Sequence, residues 1–206
     1  KLRLKAKIVT ALLFAVAIIA GLYLEKISRI DINRFYPPDN RIVSDQFEKP
    51  LRWFPDINGE RHIWVSFDKI ADTTIKAFIA AEDQRFFSHI GIDPVSMVRA
   101  LKENMVQGKI VSGASTLTQQ MIRIAYPRNR TYSKKFIEVL RSFRTEGHLS
   151  KEEILEVYLN RVPMGNNLTG VEAASRIYFT KPSSSLSLHE NALLAALPKA
   201  PGTLNP

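Results

Sequence analysis

Glu82 stands where a core residue is due. Ile75, Phe78 and Ile79 recur at helical spacing, and a helix running up to Asp83 puts Glu82 on the same apolar face, seven residues after Ile75. Burial disfavours a charged carboxylate, so a Glu in that position is expected to have a raised pKa and to exchange protons near neutral pH, as a general base must. The plainer reading is a rim residue that reaches solvent. Some thirty residues on, the run from Gly113 to Gln120, GASTLTQQ, gathers small and hydroxylic residues before paired amides. Ser115 could simply cap a helix there, yet packing alone does not ask for that composition. A third group, Lys134, Glu138 and Arg141 with Lys135 at its margin, shares the face of a helix opposite Phe136 and Leu140. Alone it is a solvated face whose i,i+4 pairs are worth roughly 0.3 to 0.5 kcal/mol. Set beside Thr116, Gln119 and Arg123, it becomes a cationic, amide-rich pocket suited to a diphosphate. Spacing leaves open whether the two faces meet. His89, next to Phe86 and Phe87, reads as a half-buried packing residue rather than a metal ligand.

Helices must position these groups. Asp93-Pro94 caps and opens one that ends by Gly108. Ser115 to Ala125 carries Leu117, Met121 and Ile124 on a buried stripe, with Thr116, Gln119, Gln120 and Arg123 on another face. Ser133 to Glu146 is expected to bury Phe136, Leu140 and Phe143 and to stop at Gly147. Ser150 with Glu153, and Ser187 with Glu190, are capping boxes that open two further helices, the second ended by Pro198. No strand alternation of any length interrupts the chain after Ser66, so the domain is predominantly α. Before it, Pro37, Pro38, Pro50 and Pro55 break the pattern. The turn signal Asp56-Ile57-Asn58-Gly59 between two aromatic-containing runs, LRWF and RHIWV, predicts a short β hairpin in a linker.

Composition bounds the rest. At 206 residues, 45% hydrophobic and 24% charged, the chain suffices for one domain with an appendage. It has no cysteine, which excludes disulfides and thiolate metal sites. Ile8 to Leu24 is an almost unbroken apolar run of about seventeen residues, near the short limit for a membrane-spanning helix. Lys1, Arg3, Lys5 and Lys7 precede it, which by the positive-inside rule places the N-terminus in the cytoplasm and the remainder outside. A signal peptide is the competing reading, but Gly21-Leu22-Tyr23-Leu24 offers no small-residue cleavage site. Of 29 Lys and Arg, those four belong to the tail, leaving 25 against 20 Asp and Glu. That moderate bias suits anionic head groups or a phosphorylated substrate, and the topology excludes nucleic acid as a partner. The predicted layout is a basic tail over 1–7, an anchor over 8–24, a linker over 25–65 and the helical domain over 66–206.

The order of these motifs resembles that of the peptidoglycan glycosyltransferases, glycosyltransferase family 51, the transglycosylase domain of class A penicillin-binding proteins. The resemblance rests on Glu82-Asp83-x-x-Phe86-x-x-His89-x-Gly91, Gly113-x-Ser115-Thr116-x-Thr118-Gln119-Gln120, Lys134-Lys135-x-x-Glu138 and Ile154-Leu155-Glu156-x-Tyr158-Leu159-Asn160. Gly170-x-x-Ala173-Ala174-x-x-x-Tyr178-Phe179-x-Lys181 and the ending Ala195-x-Leu197-Pro198-x-x-Pro201 complete it. It implies a mainly α, lysozyme-like domain on the outer face of the bacterial cytoplasmic membrane that polymerises lipid II into a growing glycan strand. In that scheme Glu82 is the general base for the acceptor hydroxyl, and attack inverts the donor carbon as undecaprenyl diphosphate leaves. Glu138 is the family's second glutamate at the donor site, and Arg123, Arg130, Lys134 and Lys135 neutralise the diphosphate. Asp83, Phe86, His89, Ser115, Thr116, Gln119, Gln120 and Asn160 match the remaining motif positions and are carried as substrate-binding candidates. No cofactor is required in this scheme, while a divalent cation, Mg or Mn, bridging Glu138 and diphosphate stays an option. Membrane lipid and other wall-synthesis proteins are the further partners it suggests. Two positions depart from the usual pattern: Lys134 replaces an Arg, losing the bidentate fork, and Arg123 replaces a Lys. Two other classes stay open, a glycoside-cleaving enzyme built on a protonated Glu82 and a non-catalytic tethered scaffold. Met105, Val106, Ile110 and Val111, around Gln107-Gly108-Lys109, form a segment suited to dip into the membrane interface or to pack as a helix end.

Overall fold

The computed structural model describes residues 2–38, 40–47, 50–109, 113–127, 129 and 131–199, with the side chains of 2–6, 8, 9, 11, 12 and 50 left aside. Arg130, Ile110, Val111 and Pro201 therefore lie outside the described residues. Among the described residues there are eight α-helices: α1 (Leu2–Ile27), α2 (Asp72–Glu82), α3 (Pro94–Gln107), α4 (Leu117–Ala125), α5 (Tyr132–Glu146), α6 (Lys151–Arg161), α7 (Val171–Tyr178) and α8 (Leu188–Ala196). Four short strands accompany them: β1 (Arg41–Ser44), β2 (Pro50–Phe54), β3 (Arg61–His62) and β4 (Leu168–Thr169). The architecture is mainly helical, as composition and periodicity predict.

Caps account for most helix starts. Asp93 accepts from the amides of Val95 and Ser96 at the head of α3, with Pro94 in the first turn, and Gly108 ends that helix at φ +63°. Ser150 with Glu153 and Ser187 with Glu190 form reciprocal capping boxes on α6 and α8. At α4 the cap is Thr116, whose hydroxyl accepts from the Gln119 amide, and not Ser115.

The core is built on α4 and α6. Leu117, Met121 and Ile122 of α4 and Ile154, Leu155, Tyr158 and Leu159 of α6 are buried together with Phe78, Phe86, Met164 and Leu194. Helix α2 lies against α8, where the buried Thr74 hydroxyl donates to Asn191 Oδ1 at 2.6 Å. Helix α5 differs from the expected amphipathic pattern. Phe136 and Phe143 are 52% and 37% exposed, whereas Glu138, Ser142 and Thr145 face inward. The helix buries its polar side because that side meets the capped start of α4, not the apolar core.

The linker also differs. Its hairpin forms between β1 and β2, antiparallel, with Arg41 opposite Phe54. The Asp56–Gly59 turn is present, closed by hydrogen bonds from Gly59 to Asp56 and from Asp56 to Glu60. The strand that follows it, however, pairs in parallel with β4, over a hundred residues away in sequence. Trp64 and the Phe67 amide donate to Glu156 at 3.0 Å and 2.8 Å, and Phe35 is fully buried. Residues before 66 are thus fastened to the helical domain.

Helix α1 covers the apolar run. Leu13, Phe14, Val16, Ile18, Ile19 and Leu22 are all exposed on it. Among the described residues, no helix is long and apolar enough to cross a membrane.

Candidate active site

Helix α2 ends at Glu82, whose Oε2 accepts from Gln120 Nε2 at 2.7 Å. Its Oε1 is buried and has no hydrogen-bond partner among the described residues. Gln120 is turned toward Glu82 from the other side, since its Oε1 accepts from the hydroxyl of Tyr158 at 3.4 Å. Burial first, and then the nearby Glu82 charge, raise the Tyr158 phenol well above its ordinary value, so it stays a donor. Glu82 borders a small cavity of about 90 Å³ whose wall includes Arg85, Asp93, Arg99, Ser115 and Thr116.

Asp83, the next residue, faces the other way. It accepts from the Leu117 amide at 3.0 Å, satisfying the start of α4, and from His89 Nε2 at 3.0 Å. The pair Asp83 and His89 is buried. Phe86 beneath it is fully buried, stacked edge-on against Phe87 and His89, with Lys151 Nζ 4.3 Å from its ring centre. Thr116 donates to the Gly91 carbonyl at 2.7 Å. These contacts tie the first motif to the second.

The cations gather beside them. Lys135 Nζ reaches Ser115 Oγ at 3.2 Å, Gln119 Oε1 at 2.7 Å and Glu138 Oε1 at 2.5 Å. Glu138 is buried, and Arg123 Nε approaches its other oxygen at 3.7 Å. A second cavity, of about 230 Å³, opens on this cluster and is bordered by Arg123, Lys134, Ile137 and Glu138. Lys135 stands between the two cavities: Ser115 lines the first, Glu138 the second. The faces of α4 and α5 that spacing left unconnected therefore meet. What results is a carboxylate with a free lone pair at one end and fixed cations at the other.

Not every motif residue reaches this space. Phe86 is a core residue. Asn160 spends its amide on the linker, accepting from the Val65 amide at 2.8 Å and donating to the carbonyls of Val65 and Glu156, each at 2.8 Å. Substrate contact by Phe86 or Asn160 is accordingly replaced by a packing and a clamping role. Asp83, His89, Thr116 and Gln119 are buried and bonded to one another's segments, and of these Asp83 and Thr116 also border the smaller cavity with Glu82 and Ser115. Arg123 and Lys134 border the larger one, and Gln120 and Lys135 reach the site through Glu82 and Glu138. The sequence shows Tyr158 only as a motif position and gives Tyr126 no signal beyond that of an ordinary aromatic packing residue. Lys135 and Arg123 approach Glu138 from one carboxylate oxygen each.

The chain belongs to the transglycosylase family, whose profile matches residues 48–206. Its relatives include penicillin-binding protein 1A of Aquifex aeolicus, 44% identical over 165 residues, a match covering 80% of this chain and 23% of the relative. Penicillin-binding protein 1C of Escherichia coli is 40% identical over 166 residues, covering 81% of this chain and 22% of the relative. Penicillin-binding protein 1A of the same organism is 41% identical over 174 residues, covering 84% and 19%. Identity does not separate the two types. The chain spans less than a quarter of the length of these relatives.

Proposed function

We propose that the chain polymerises lipid II, transferring the lipid-linked sugar onto an acceptor hydroxyl with inversion and releasing undecaprenyl diphosphate. The observation that carries this reading is a pair of neighbouring cavities: Glu82, whose Oε1 has no partner among the described residues, borders one, Arg123 and Lys134 border the other, and Lys135 bonds Ser115 of the first and Glu138 of the second. A neutral hydroxyl needs a base within reach of its proton, and a departing diphosphate needs charge aimed at it. Gln120, held by Tyr158, fixes Glu82 Oε2 and leaves Oε1 for the acceptor. Glu138 orients Lys135 rather than transferring protons. Lys134 is exposed and presents a point charge to the pocket.

The reading includes the membrane. Helix α1, with its exposed apolar surface, is the anchor that keeps the domain beside a substrate whose prenyl tail stays in the bilayer. The exposed Val95, Met97, Val98, Leu101, Met105 and Val106 of α3 supply a second apolar surface for lipid. The domain then works on the outer face of the cytoplasmic membrane, with the N-terminus inside.

Polymerisation of labelled lipid II by the purified chain in detergent, wild type beside Glu82→Gln, is the test. Loss of general base catalysis predicts a rate about 10²- to 10⁴-fold lower with lipid II still bound. Equal rates for the two proteins would remove Glu82 from the chemistry. No polymer from either, with lipid II bound, would favour a tethered scaffold.

A further inference from the structure

Two arginines in the larger cavity have no part in the chemistry above. Arg34, on the 3-10 turn Ile32–Phe35 of the linker, and Arg141, on α5, both approach the ring of Tyr126. Their guanidinium carbons lie 5.0 Å and 3.9 Å from its centre. Tyr126 is itself held to the linker, its hydroxyl accepting from the Asp31 amide at 2.5 Å. Both arginines border the cavity of about 230 Å³ that Arg123, Lys134 and Glu138 also border.

The charge there is unbalanced. Among the described residues, Arg34, Arg123, Lys134 and Arg141 face the cavity against Glu138, and Glu138 is already met by Lys135 and Arg123. Arg34's nearest carboxylate, Asp31, is 3.8 Å away, and both side chains are more than half exposed, so solvent screens that pair. Arg141 donates from one terminal nitrogen to the Ile27 carbonyl at 3.1 Å, while its Nε is buried with no hydrogen-bond partner among the described residues. A ring face offsets only part of the repulsion between two guanidiniums; an anion between them removes it. Position adds direction. Ile27 is the last residue of α1, so Arg141 marks the side of the cavity nearest the anchor, and Glu138, joined through Lys135 to Ser115 on the smaller cavity, marks the side nearest Glu82.

We infer that Arg34 and Arg141 form, with Tyr126, a second anion subsite that takes the lipid-side phosphate of a prenyl diphosphate, while Arg123, Lys134 and Lys135 hold the sugar-side phosphate. This rests on the reading of the cavity as the place of the leaving group. It makes the linker part of the site, and it lets the pocket tell a diphosphate from a monophosphate. The head group of an anionic phospholipid has the same phosphate chemistry, so the experiment separates the two.

Binding of farnesyl diphosphate and farnesyl monophosphate to the purified chain in detergent is measured by calorimetry for wild type, Arg34→Gln and Arg34→Lys. Arg34 is exposed, and an unchanged thermal midpoint confirms that the variants fold. The expected result is a wild type that prefers the diphosphate, an Arg34→Gln variant whose diphosphate affinity falls about tenfold with monophosphate affinity unchanged, and partial recovery in Arg34→Lys. Equal losses for both ligands, or none, would overturn the inference. So would an effect of Arg34→Gln confined to binding of phosphatidylglycerol vesicles, which would make a lipid head group the ligand. A chain that fails to polymerise lipid II but keeps an Arg34-dependent preference would sink the polymerase reading alone. An active chain indifferent to Arg34 in both binding assays would sink only the subsite.

Discussion

Replacing Gly91 by Ala tests whether the three motifs are held together by contact or merely lie near one another. Gly91 has φ +89°, and a Cβ on it would sit 2.9 Å from the carbonyl carbon and oxygen of Ser142 and 3.2 Å from the Phe143 amide nitrogen, all backbone of α5. Its carbonyl accepts from Thr116 at the start of α4. Two costs follow. A residue with a Cβ in the left-handed region costs about 1–2 kcal/mol, and forcing a methyl into packed backbone costs about 1–3 kcal/mol more. Gly59→Ala isolates the first cost, because Gly59 has φ +80° and nothing within 4 Å of its would-be Cβ. For a chain of this size each kcal/mol moves the melting temperature by roughly 2–4 °C. Gly91→Ala should therefore melt about 2–12 °C below Gly59→Ala when both are followed by circular dichroism in the same detergent. It should also polymerise more slowly at temperatures where it is folded, since displacing α5 draws Lys135 and Glu138 from Ser115 and Gln119. Equal melting of the two variants would refute the claim that the approach of α5 to Gly91 is a packing constraint.

Asp83→Ala leaves the Leu117 amide and His89 Nε2 without their buried acceptor, at about 1–3 kcal/mol for each group. It should lower the unfolding free energy read from urea titration by a matching total of roughly 2–6 kcal/mol, and an unchanged value would show that water replaces the carboxylate. Glu190 is held down to about 2, from an ordinary 4.5, by Lys181 first and then by the hydroxyl and amide of Ser187. Its folded pKa is the lower one, so its contribution is complete above about 4.5 and disappears as the pH falls toward 2. Glu190→Gln should then flatten the melting-temperature profile within that window, and a profile unchanged by the substitution would exclude the capping box from acid stability.

The sequence disclosed local devices better than long-range ones. The boxes at Ser150 and Ser187 and the Asp93-Pro94 start were legible because cap and partner lie within a few residues. Helix α5 was legible as a helix but not in its orientation: its apolar residues point outward because the inward face serves the site. The alternation around the Asp56–Gly59 turn suggested a local hairpin, yet the partner of β3 is β4, and nothing near Arg61 announces Leu168. At the site, Glu82 was visible as a residue type out of place on its helix, and the cations of α5, Arg141 among them, as a charged face that could equally be solvated. Their meeting with α4 through Lys135 was not, since it depends on the packing of α4 on α5. Arg34 and Tyr126 carried no signal, because a linker arginine and a tyrosine at a helix end are each unremarkable alone.

The fastening of the linker to the far half of the chain has a consequence for the order in which the molecule assembles. Arg141 holds Ile27 across 114 positions, Asn160 holds Val65 across 95, and Arg161 holds the Arg34 carbonyl across 127. Closing loops of that length is entropically costly and slow, so such contacts form after the local helices and their nearest neighbours. The linker, which precedes its partners in the chain, is then among the last segments to find its place. During synthesis it emerges and waits, its partners on α5 and α6 still unmade, and the cavity that includes Arg34 is finished only when the seam shuts.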